Sequence, residues 1–186
     1  MINLLLKLFL PIILFFIIPL ITILYFVVLI IDGKPVIFTQ LRVGLDGKLF
    51  RIFKFRTMKI NVGDIPTHRL KEENKLFTSS GPFLRKYSLD ELPQIFNVIK
   101  GDIDFIGPRP ALHNQDDLIS QRKLNNILQQ KPGITGWAQV NGRDNLSIEQ
   151  KVEMEKFYLK NKSFFLDLKI IVMTAYQVLI PKNIDE

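Results

Sequence analysis

The chain has 186 residues with a formal net charge of +7 and no cysteine. This length is enough for one domain with a proper core, and the positive charge favours an anionic partner such as nucleic acid, anionic lipid or a phosphorylated substrate. Disulfides and thiolate metal sites are excluded. With only two histidines, His68 and His113, a zinc site is not expected, so any metal should be a hard ion held by oxygens, such as magnesium. The sequence gives neither histidine a role.

The first part of the chain is strongly apolar. No charged residue lies between Lys7 and Asp32, and this run is about the length needed to span a bilayer. Pro19, in its middle, should break a helical hydrogen bond and kink the helix, so the segment either crosses with a kink or enters and leaves by one side. Basic residues after the run favour a cytoplasmic location for the rest of the chain. We therefore predict a membrane-embedded helix over 1–33, kinked or re-entrant at Pro19, and a cytoplasmic domain over 34–186.

The predicted domain begins with β structure. KPVIFTQL and KLFRIFKFRTM are rich in β-branched and aromatic residues, and Asp46-Gly47 is a typical hairpin turn. Alternation in the second strand places Lys54 and Arg56 on one face, where they either bind a ligand or are simply solvated. The polar stretch 61–80 is predicted to be a loop with a short helix.

Two adjacent carboxylates, Asp90 and Glu91, precede an apolar helical run. Ser88 and Glu91 have the spacing of a capping box, which would place both acids in the first turn of a helix. Pro93 conflicts with this register, so the alternatives are that Asp90 is the cap or that the helix begins at Pro93. In each version the acids lie at a helix N-terminus, which keeps carboxylates ionised and attracts phosphate. The pair could supply a nucleophile, a metal ligand or only a cap.

The following segments combine rigid turns with one polar helix. Residues 104–110 (DFIGPRP) are predicted to form a short buried strand and a turn whose prolines orient Arg109. Residues 112–130 are predicted to be a polar helix. Residues 131–143 (KPGITGWAQVNGR) look too irregular for a regular element, and their glycines could let backbone amides approach an anion close to Arg143.

The C-terminal part is predicted to be helical. From Phe164 onward its apolar residues follow helical spacing, which fits either a core helix or a helix in the membrane interface with snorkelling lysines. The patterns together predict a mixed α/β (α+β) fold with an N-terminal membrane-embedded helix, a small β-hairpin and C-terminal amphipathic helices.

An apolar anchor, basic residues, an acid pair and arginines on rigid turns together favour phosphoryl transfer at a membrane surface. Two alternatives remain. One is a membrane-anchored, non-enzymatic binder of anionic lipid or nucleic acid, although the basic residues form no dense run and no nucleic-acid module is recognisable. The other is a magnesium-dependent hydrolase of nucleotide sugars that needs no lipid acceptor.

Four blocks resemble the signature of the bacterial sugar transferases, the monotopic phosphoglycosyl transferases, in their minimal catalytic-core form. These blocks are KFRTM (54–58), SLDELPQIFNVIKGD (88–102), FIGPRP (105–110) and PGITGWAQVNGR (132–143). The resemblance implies transfer of a sugar-1-phosphate from a UDP-sugar to polyprenyl (undecaprenyl) phosphate, with release of UMP, at the start of glycan assembly (capsule, exopolysaccharide, O-antigen or glycoprotein). It also implies a re-entrant N-terminal helix, catalytic helices, interface helices at the C-terminus, and a location on the cytoplasmic face of the bacterial inner membrane. Nucleic acid is not an expected partner, and a homodimer is left open.

The resemblance also implies roles for particular residues. Asp90 would be the nucleophile, forming a covalent phosphosugar-aspartate, and Glu91 would hold Mg²⁺, with Asp90 as a second potential ligand. The implied substrate-binding residues are Lys54, Arg56, Arg109, Arg143 and Asp167. One departure concerns the helix break, where the family commonly has Ser-Pro and this chain has Ile18 before Pro19.

Overall fold

The computed structural model describes residues 2–60, 76–142 and 145–180. It confirms the predicted mixed α/β fold class. The α-helices are α1 (Ile2–Leu8), α2 (Leu10–Asp32), α3 (Gly81–Lys86), α4 (Ile95–Lys100), α5 (Asp116–Leu124), α6 (Trp137–Val140), α7 (Ile148–Asn161) and α8 (Phe164–Leu179). The strands are β1 (Ile37–Val43), β2 (Leu49–Phe55), β3 (Asp104–Ile106) and β4 (Gly133–Thr135), and 3₁₀ helices cover Leu45–Gly47, Leu89–Gln94 and Ile127–Gln129. The loop and short helix predicted over 61–80 fall largely on residues 61–75, outside the described residues.

The apolar N-terminal segment forms α1 and α2, which meet at Phe9. Among the described residues, α2 is the one helix that is long and apolar enough to cross a membrane, by length and composition. It remains helical through Pro19, and the Thr22 hydroxyl donates a hydrogen bond to the Ile18 carbonyl (2.9 Å). Its middle is highly exposed, with Phe15 at 74%, so this part of the helix has little cover from the rest of the protein.

The start of the apolar segment is bonded to β3. The Asn3 side-chain amide donates to the Ile106 carbonyl and accepts from the Ile106 amide, both at 2.9 Å and both buried. Lys7 pairs with Asp104 at 2.5 Å. Asn3 thereby takes the place of a strand partner on the side of β3 that faces away from β4.

The end of the apolar segment is bonded to the start of α3. The Asp32 carboxylate accepts hydrogen bonds from the backbone amides of Ser79 (2.9 Å) and Ser80 (3.4 Å) and from the Ser80 hydroxyl. Both ends of the apolar segment therefore contact the same body of the protein.

The predicted hairpin is confirmed. β1 and β2 pair antiparallel in a register running from Ile37↔Phe55 to Val43↔Leu49, joined by the turn at Asp46 and Gly47, both of which have positive φ. The hairpin packs on a core made by the inner face of α2, α3 and α4, whose buried members are Ile21, Leu24, Val28, Val36, Phe55, Leu84, Ile95, Val98 and Ile103.

The glycine-rich stretch 131–143 is more regular than predicted. It contains β4, which pairs parallel with β3, followed directly by α6. The two strands approach closely at Gly107 and Gly133, where a Cβ on Gly133 would collide with the Gly107 backbone nitrogen. These glycines serve close backbone approach, which local sequence pattern does not reveal.

A buried ion pair joins two helices of the C-terminal half. The helix predicted over 112–130 is shorter than expected, because α5 covers only Asp116–Leu124. The Arg122 guanidinium makes two hydrogen bonds to the Glu155 carboxylate of α7, at 2.8 and 2.5 Å, with both residues buried.

α8 is amphipathic as predicted: Asp167 and Ile170 are buried, whereas Phe165, Leu168, Val172, Tyr176 and Leu179 form an exposed apolar face.

Candidate active site

The acid pair lies on the 3₁₀ helix Leu89–Gln94, which leads directly into α4. The predicted capping box is wrong, because Ser88 has a left-handed backbone (φ 54°) and its side chain caps nothing. Ser88 instead closely follows α3 and donates its amide to the Arg85 carbonyl, so it ends the preceding helix. The two alternatives, Asp90 as the cap and a helix that begins at Pro93, are also wrong. The 3₁₀ helix begins at Leu89 and contains both residues, and α4 begins only at Ile95. The acids nevertheless lie in a first helical turn, as predicted.

Glu91 is held by two cations from distant parts of the chain. Its Oε1 lies 2.6 Å from Lys54 Nζ, on β2, and 3.0 Å from an Arg109 guanidinium nitrogen, on the turn after β3. Burial alone would raise the pKa of the Glu91 carboxyl, but the charges of and hydrogen bonds from Lys54 and Arg109 hold that pKa well below its ordinary value. The prediction of an ionised carboxylate is correct for Glu91, and its cause is the two cations.

Asp90 has a different environment. It is 6% exposed, and its Oδ2 lies 4.0 Å from Lys54 Nζ. Burial raises the pKa of Asp90 despite the opposing charge of Lys54, and the negative charge of Glu91 adds to the rise. The pKa of Asp90 is therefore shifted in the direction opposite to that of Glu91. Adjacent carboxyls whose pKa values are pushed apart are typical of sites where each has its own role.

Two residues of this site, Arg85 and Gln94, were not predicted from the sequence. The charge of Arg85, on α3, acts to lower the pKa of Asp90, and its guanidinium bonds the Thr57 hydroxyl at 3.1 Å. Gln94 closes the 3₁₀ helix and is 2% exposed. It lines a narrow cleft with Lys54 and Arg109. Arg85 lies only five residues before Asp90, so a basic residue just ahead of the acid pair was an available signal.

The Arg56 side chain is hydrogen-bonded to backbone carbonyl groups. β2 ends at Phe55, and the Arg56 guanidinium donates to the carbonyls of Asp32 (2.6 Å), Gly33 (2.9 Å) and Pro35 (2.5 Å). The structure therefore shows Arg56 tying the end of α2 to the hairpin, whereas Lys54 reaches the carboxylates. Its predicted role in substrate binding stays a prediction.

Asp167 is fully buried, with 0% exposure, and Arg143 lies outside the described residues. Asp167 Oδ1 accepts a hydrogen bond from the Tyr158 hydroxyl at 2.6 Å. Burial and this bond raise the pKa of Tyr158 far above its ordinary value. In this structure Asp167 contacts a neighbouring helix, so a direct substrate contact for it stays a prediction, as does any role for Arg143.

The described residues contain no cluster of three or more His, Cys, Asp or Glu side chains that could form a metal cage. Mg²⁺ does not need one, because it commonly binds one or two carboxylates together with substrate phosphates and water. The neighbouring Asp90 and Glu91 fit that donor set.

Comparisons with known proteins identify the family to which the chain is similar. A family model described as bacterial sugar transferase matches residues 1–181. An uncharacterized sugar transferase, EpsL, of Bacillus subtilis (strain 168) is 46% identical over 154 residues, 83% of this chain and 75% of that protein. The UDP-glucose:undecaprenyl-phosphate glucose-1-phosphate transferase of Escherichia coli (strain K12) is 40% identical over 157 residues, 80% of this chain and 33% of that protein. The undecaprenyl-phosphate galactose phosphotransferase of Salmonella typhimurium is 37% identical over 164 residues, 80% of this chain and 34% of that protein. The match thus spans only about a third of the length of the two relatives whose names state a reaction.

Proposed function

Because the chain belongs to the bacterial sugar transferase family, we propose that it transfers a sugar-1-phosphate from a UDP-sugar to polyprenyl phosphate, undecaprenyl phosphate in a bacterium, and releases UMP. The product, a polyprenyl-diphosphate-sugar, would be the first lipid-linked intermediate of a glycan such as a capsule, an exopolysaccharide, an O-antigen or a protein-linked glycan. The relatives with named reactions act on glucose and galactose donors, and a panel of UDP-sugars would identify the sugar used by this chain.

The observation that carries the proposal is the difference between the environments of the two carboxyls. Glu91 is ion-paired to Lys54 and Arg109, whereas Asp90 is buried beside them and has a raised pKa. A carboxylate with a raised pKa is more basic, and hence a stronger nucleophile, once it is ionised. The two cations lie where they can stabilise negative charge on a diphosphate next to Asp90.

In the proposed reaction a carboxylate oxygen of Asp90 attacks the β-phosphorus of the UDP-sugar. A bond forms between this oxygen and phosphorus, the bond from phosphorus to the bridging oxygen breaks, and UMP leaves with the electron pair. A phosphate oxygen of polyprenyl phosphate then attacks the same phosphorus and releases the Asp90 carboxylate. Lys54 and Arg109 stabilise charge on the diphosphate, and Mg²⁺ held by Glu91 and Asp90 would supply further charge neutralisation.

The contacts of α1 and α2 support a re-entrant membrane segment. The start of α1 is bonded to β3 through Asn3, and the end of α2 is bonded to the start of α3 through Asp32. Two ends held by one body lie on one side of a bilayer, and the exposed apolar middle of α2 would enter the lipid. We place that body on the cytoplasmic face, in accord with the basic residues after the apolar run. The exposed apolar face of α8 would then lie in the interface.

The direct test is the intact mass of the purified protein after incubation with Mg²⁺ and a panel of UDP-sugars, without lipid. We expect an adduct of one sugar-phosphate with the preferred donor, which disappears when polyprenyl phosphate is added. Asp90→Asn should form no adduct, because an amide is not a nucleophile for this step. Asp117→Asn, the same change on an exposed residue of α5, should form the adduct as the native chain does.

Other outcomes would favour the alternatives. Product formed with polyprenyl phosphate but with no adduct in any donor would contradict the covalent step. Sugar-phosphate released at full rate without lipid would indicate a nucleotide-sugar hydrolase. Binding of anionic lipid or nucleic acid that falls steeply with salt and survives Asp90→Asn, without turnover of any donor, would indicate a non-enzymatic binder.

A further inference from the structure

The Gln94 side chain has an unusual place in the fold. It is 2% exposed, and its Nε2 is buried with no hydrogen-bond acceptor among the residues that the structure describes. Buried amide donors are almost always bonded, because an unpaired one loses its water without compensation. An unpaired buried hydrogen-bond donor beside a candidate active site therefore points to an acceptor that a ligand supplies.

The position of Gln94 connects it to the reacting groups. In a 3₁₀ helix, side chains three residues apart lie above one another, so Gln94 shares a face with Glu91. It also lines a narrow cleft together with Lys54, Arg109 and Arg42, in addition to Ile52 and Pro110. Gln94 thus lines the same cleft as Lys54 and Arg109, the two cations paired with Glu91.

The cleft is narrow because of the ion pairs that border it. It does not admit a water-sized sphere, and two of its walls are Lys54 and Arg109, which are bonded to Glu91. An incoming anion would compete with Glu91 for these cations and would widen the cleft as it binds. Arg109 can take part in such a change, since its side chain is 41% exposed.

The charges around Gln94 define the chemistry of the acceptor. Arg42 donates to the Pro110 carbonyl (3.0 Å) and to Gln40 (2.6 Å), so three cationic side chains border the cleft, with Glu91 as the nearby carboxylate. Such surroundings favour an anionic oxygen over a neutral carbonyl oxygen.

We propose that Gln94 is a substrate-binding residue, whose side-chain amide donates a hydrogen bond to a phosphate oxygen of the donor's diphosphate. This inference rests on the proposed function and adds a neutral hydrogen-bond donor to the cations of the site. It predicts that removing the Gln94 amide leaves the unliganded protein as stable as before or more stable, but weakens its affinity for the diphosphate.

The test is Gln94→Met, which keeps nearly the same volume and removes the donor. Without ligand the variant should unfold at the same or a higher temperature, because an unpaired buried donor has been removed. Its affinity for UDP and for inorganic pyrophosphate should fall about tenfold, the usual effect of one hydrogen bond to a charged group. Its affinity for uridine should not change. Gln121→Met, on the exposed face of α5, should leave all of these quantities unchanged.

A second variant keeps the inference testable if Gln94→Met folds poorly. Gln94→Glu keeps the shape and presents a carboxylate to the ligand, so the loss of UDP affinity should exceed that of Gln94→Met. Native affinity for UDP in both variants would overturn the inference, as would a Gln94→Met chain that unfolds at lower temperature and binds UDP normally. An equal loss for uridine would show that Gln94 contacts the base, which also overturns the assignment to phosphate.

The failure of this inference can be told apart from failure of the proposed function. If the native chain forms the Asp90-dependent adduct while both Gln94 variants bind UDP normally, only the role of Gln94 is wrong. If the native chain binds neither UDP nor pyrophosphate, both are wrong.

Discussion

Replacing Asn3 by alanine should release the start of the apolar segment from the rest of the protein. Asn3 makes two buried hydrogen bonds, to the amide and to the carbonyl of Ile106, each 2.9 Å long. Alanine makes neither, so both backbone groups of Ile106 lose their partner while they remain covered by α1. The docked position of α1 is therefore weakened more than that of any other element.

The size of the effect depends on the two lost bonds. A buried polar group left without a partner costs about 1–3 kcal/mol, and water reaching Ile106 when α1 lifts away recovers part of that cost. We expect the docked state to lose about 2–4 kcal/mol relative to the open one. Because each 1.4 kcal/mol is a factor of ten, the open population should rise about 30- to 700-fold.

The assay uses the absence of cysteine from the chain. Ile2 is 5% exposed, so Ile2→Cys introduces a single thiol that a water-soluble maleimide reaches only when α1 opens. Labelling of Ile2→Cys should accelerate in proportion to the open population when Asn3→Ala is added. Leu4→Ala is the matched control, since Leu4 is 74% exposed on the same helix and should leave the rate unchanged. An unchanged labelling rate with Asn3→Ala would refute the view that this side chain holds α1 to β3.

The same thiol tests the proposed topology. In intact cells a maleimide that does not cross the membrane should fail to label Ile2→Cys combined with Asn3→Ala, and should label it after lysis. Labelling from the periplasm alone would contradict a re-entrant segment.

Two further predictions concern the framework of the fold. Arg122→Met should destabilise the protein by about 3–5 kcal/mol in denaturant unfolding, because Glu155 stays buried without its partner. Adding Glu155→Leu should recover most of the loss, and Lys156→Met, in an exposed pair of the same helix, should cost less than about 1 kcal/mol. A double variant as unstable as Arg122→Met would contradict this account. Gly133→Ala should lower the yield of the sugar-phosphate adduct by about tenfold or more. The added Cβ would push against the Gly107 backbone and separate β3 from β4. An unchanged yield would show that the two strands can move apart without loss of activity.

The sequence allowed good prediction where the signal was local. The apolar run, the hairpin with its Asp46-Gly47 turn and the amphipathic C-terminal helix all depend on periodicity and turn chemistry within a few residues. Prediction failed at Ser88 because this residue belongs to two overlapping signals. Its spacing to Glu91 fits a capping box, but the chain first has to end α3, and a left-handed residue at that position does so.

Most residues of the site were predicted from the sequence, but the contacts between them were not. From the resemblance, Arg109 was expected near phosphate and Lys54 close to the site. The structure places both against Glu91, with Lys54 also 4.0 Å from Asp90. The difference between Lys54 and Arg56 could not be read from the strand pattern, because β2 ends between them and backbone carbonyls near α2 bind Arg56. Long-range contacts of this kind decide whether a cation serves the substrate or the fold.

The charge balance of the site gives an independent reason to expect a divalent cation with the donor. Lys54 and Arg109 together balance the ionised forms of Asp90 and Glu91, so the described acid pair and its two bonded cations carry about no net charge before substrate binds. The diphosphate of a UDP-sugar adds about two negative charges, and a buried excess of that size is costly in a low-dielectric site. Arg85 and Arg42 offset part of the excess, but their guanidinium groups also bond neutral groups: the Thr57 hydroxyl for Arg85, and the Pro110 carbonyl and Gln40 for Arg42. A Mg²⁺ ion held by Asp90 and Glu91 would neutralise the remaining charge at the diphosphate, because it binds both carboxylate and phosphate oxygens. The affinity for the UDP-sugar should therefore depend on magnesium far more than the affinity for uridine does.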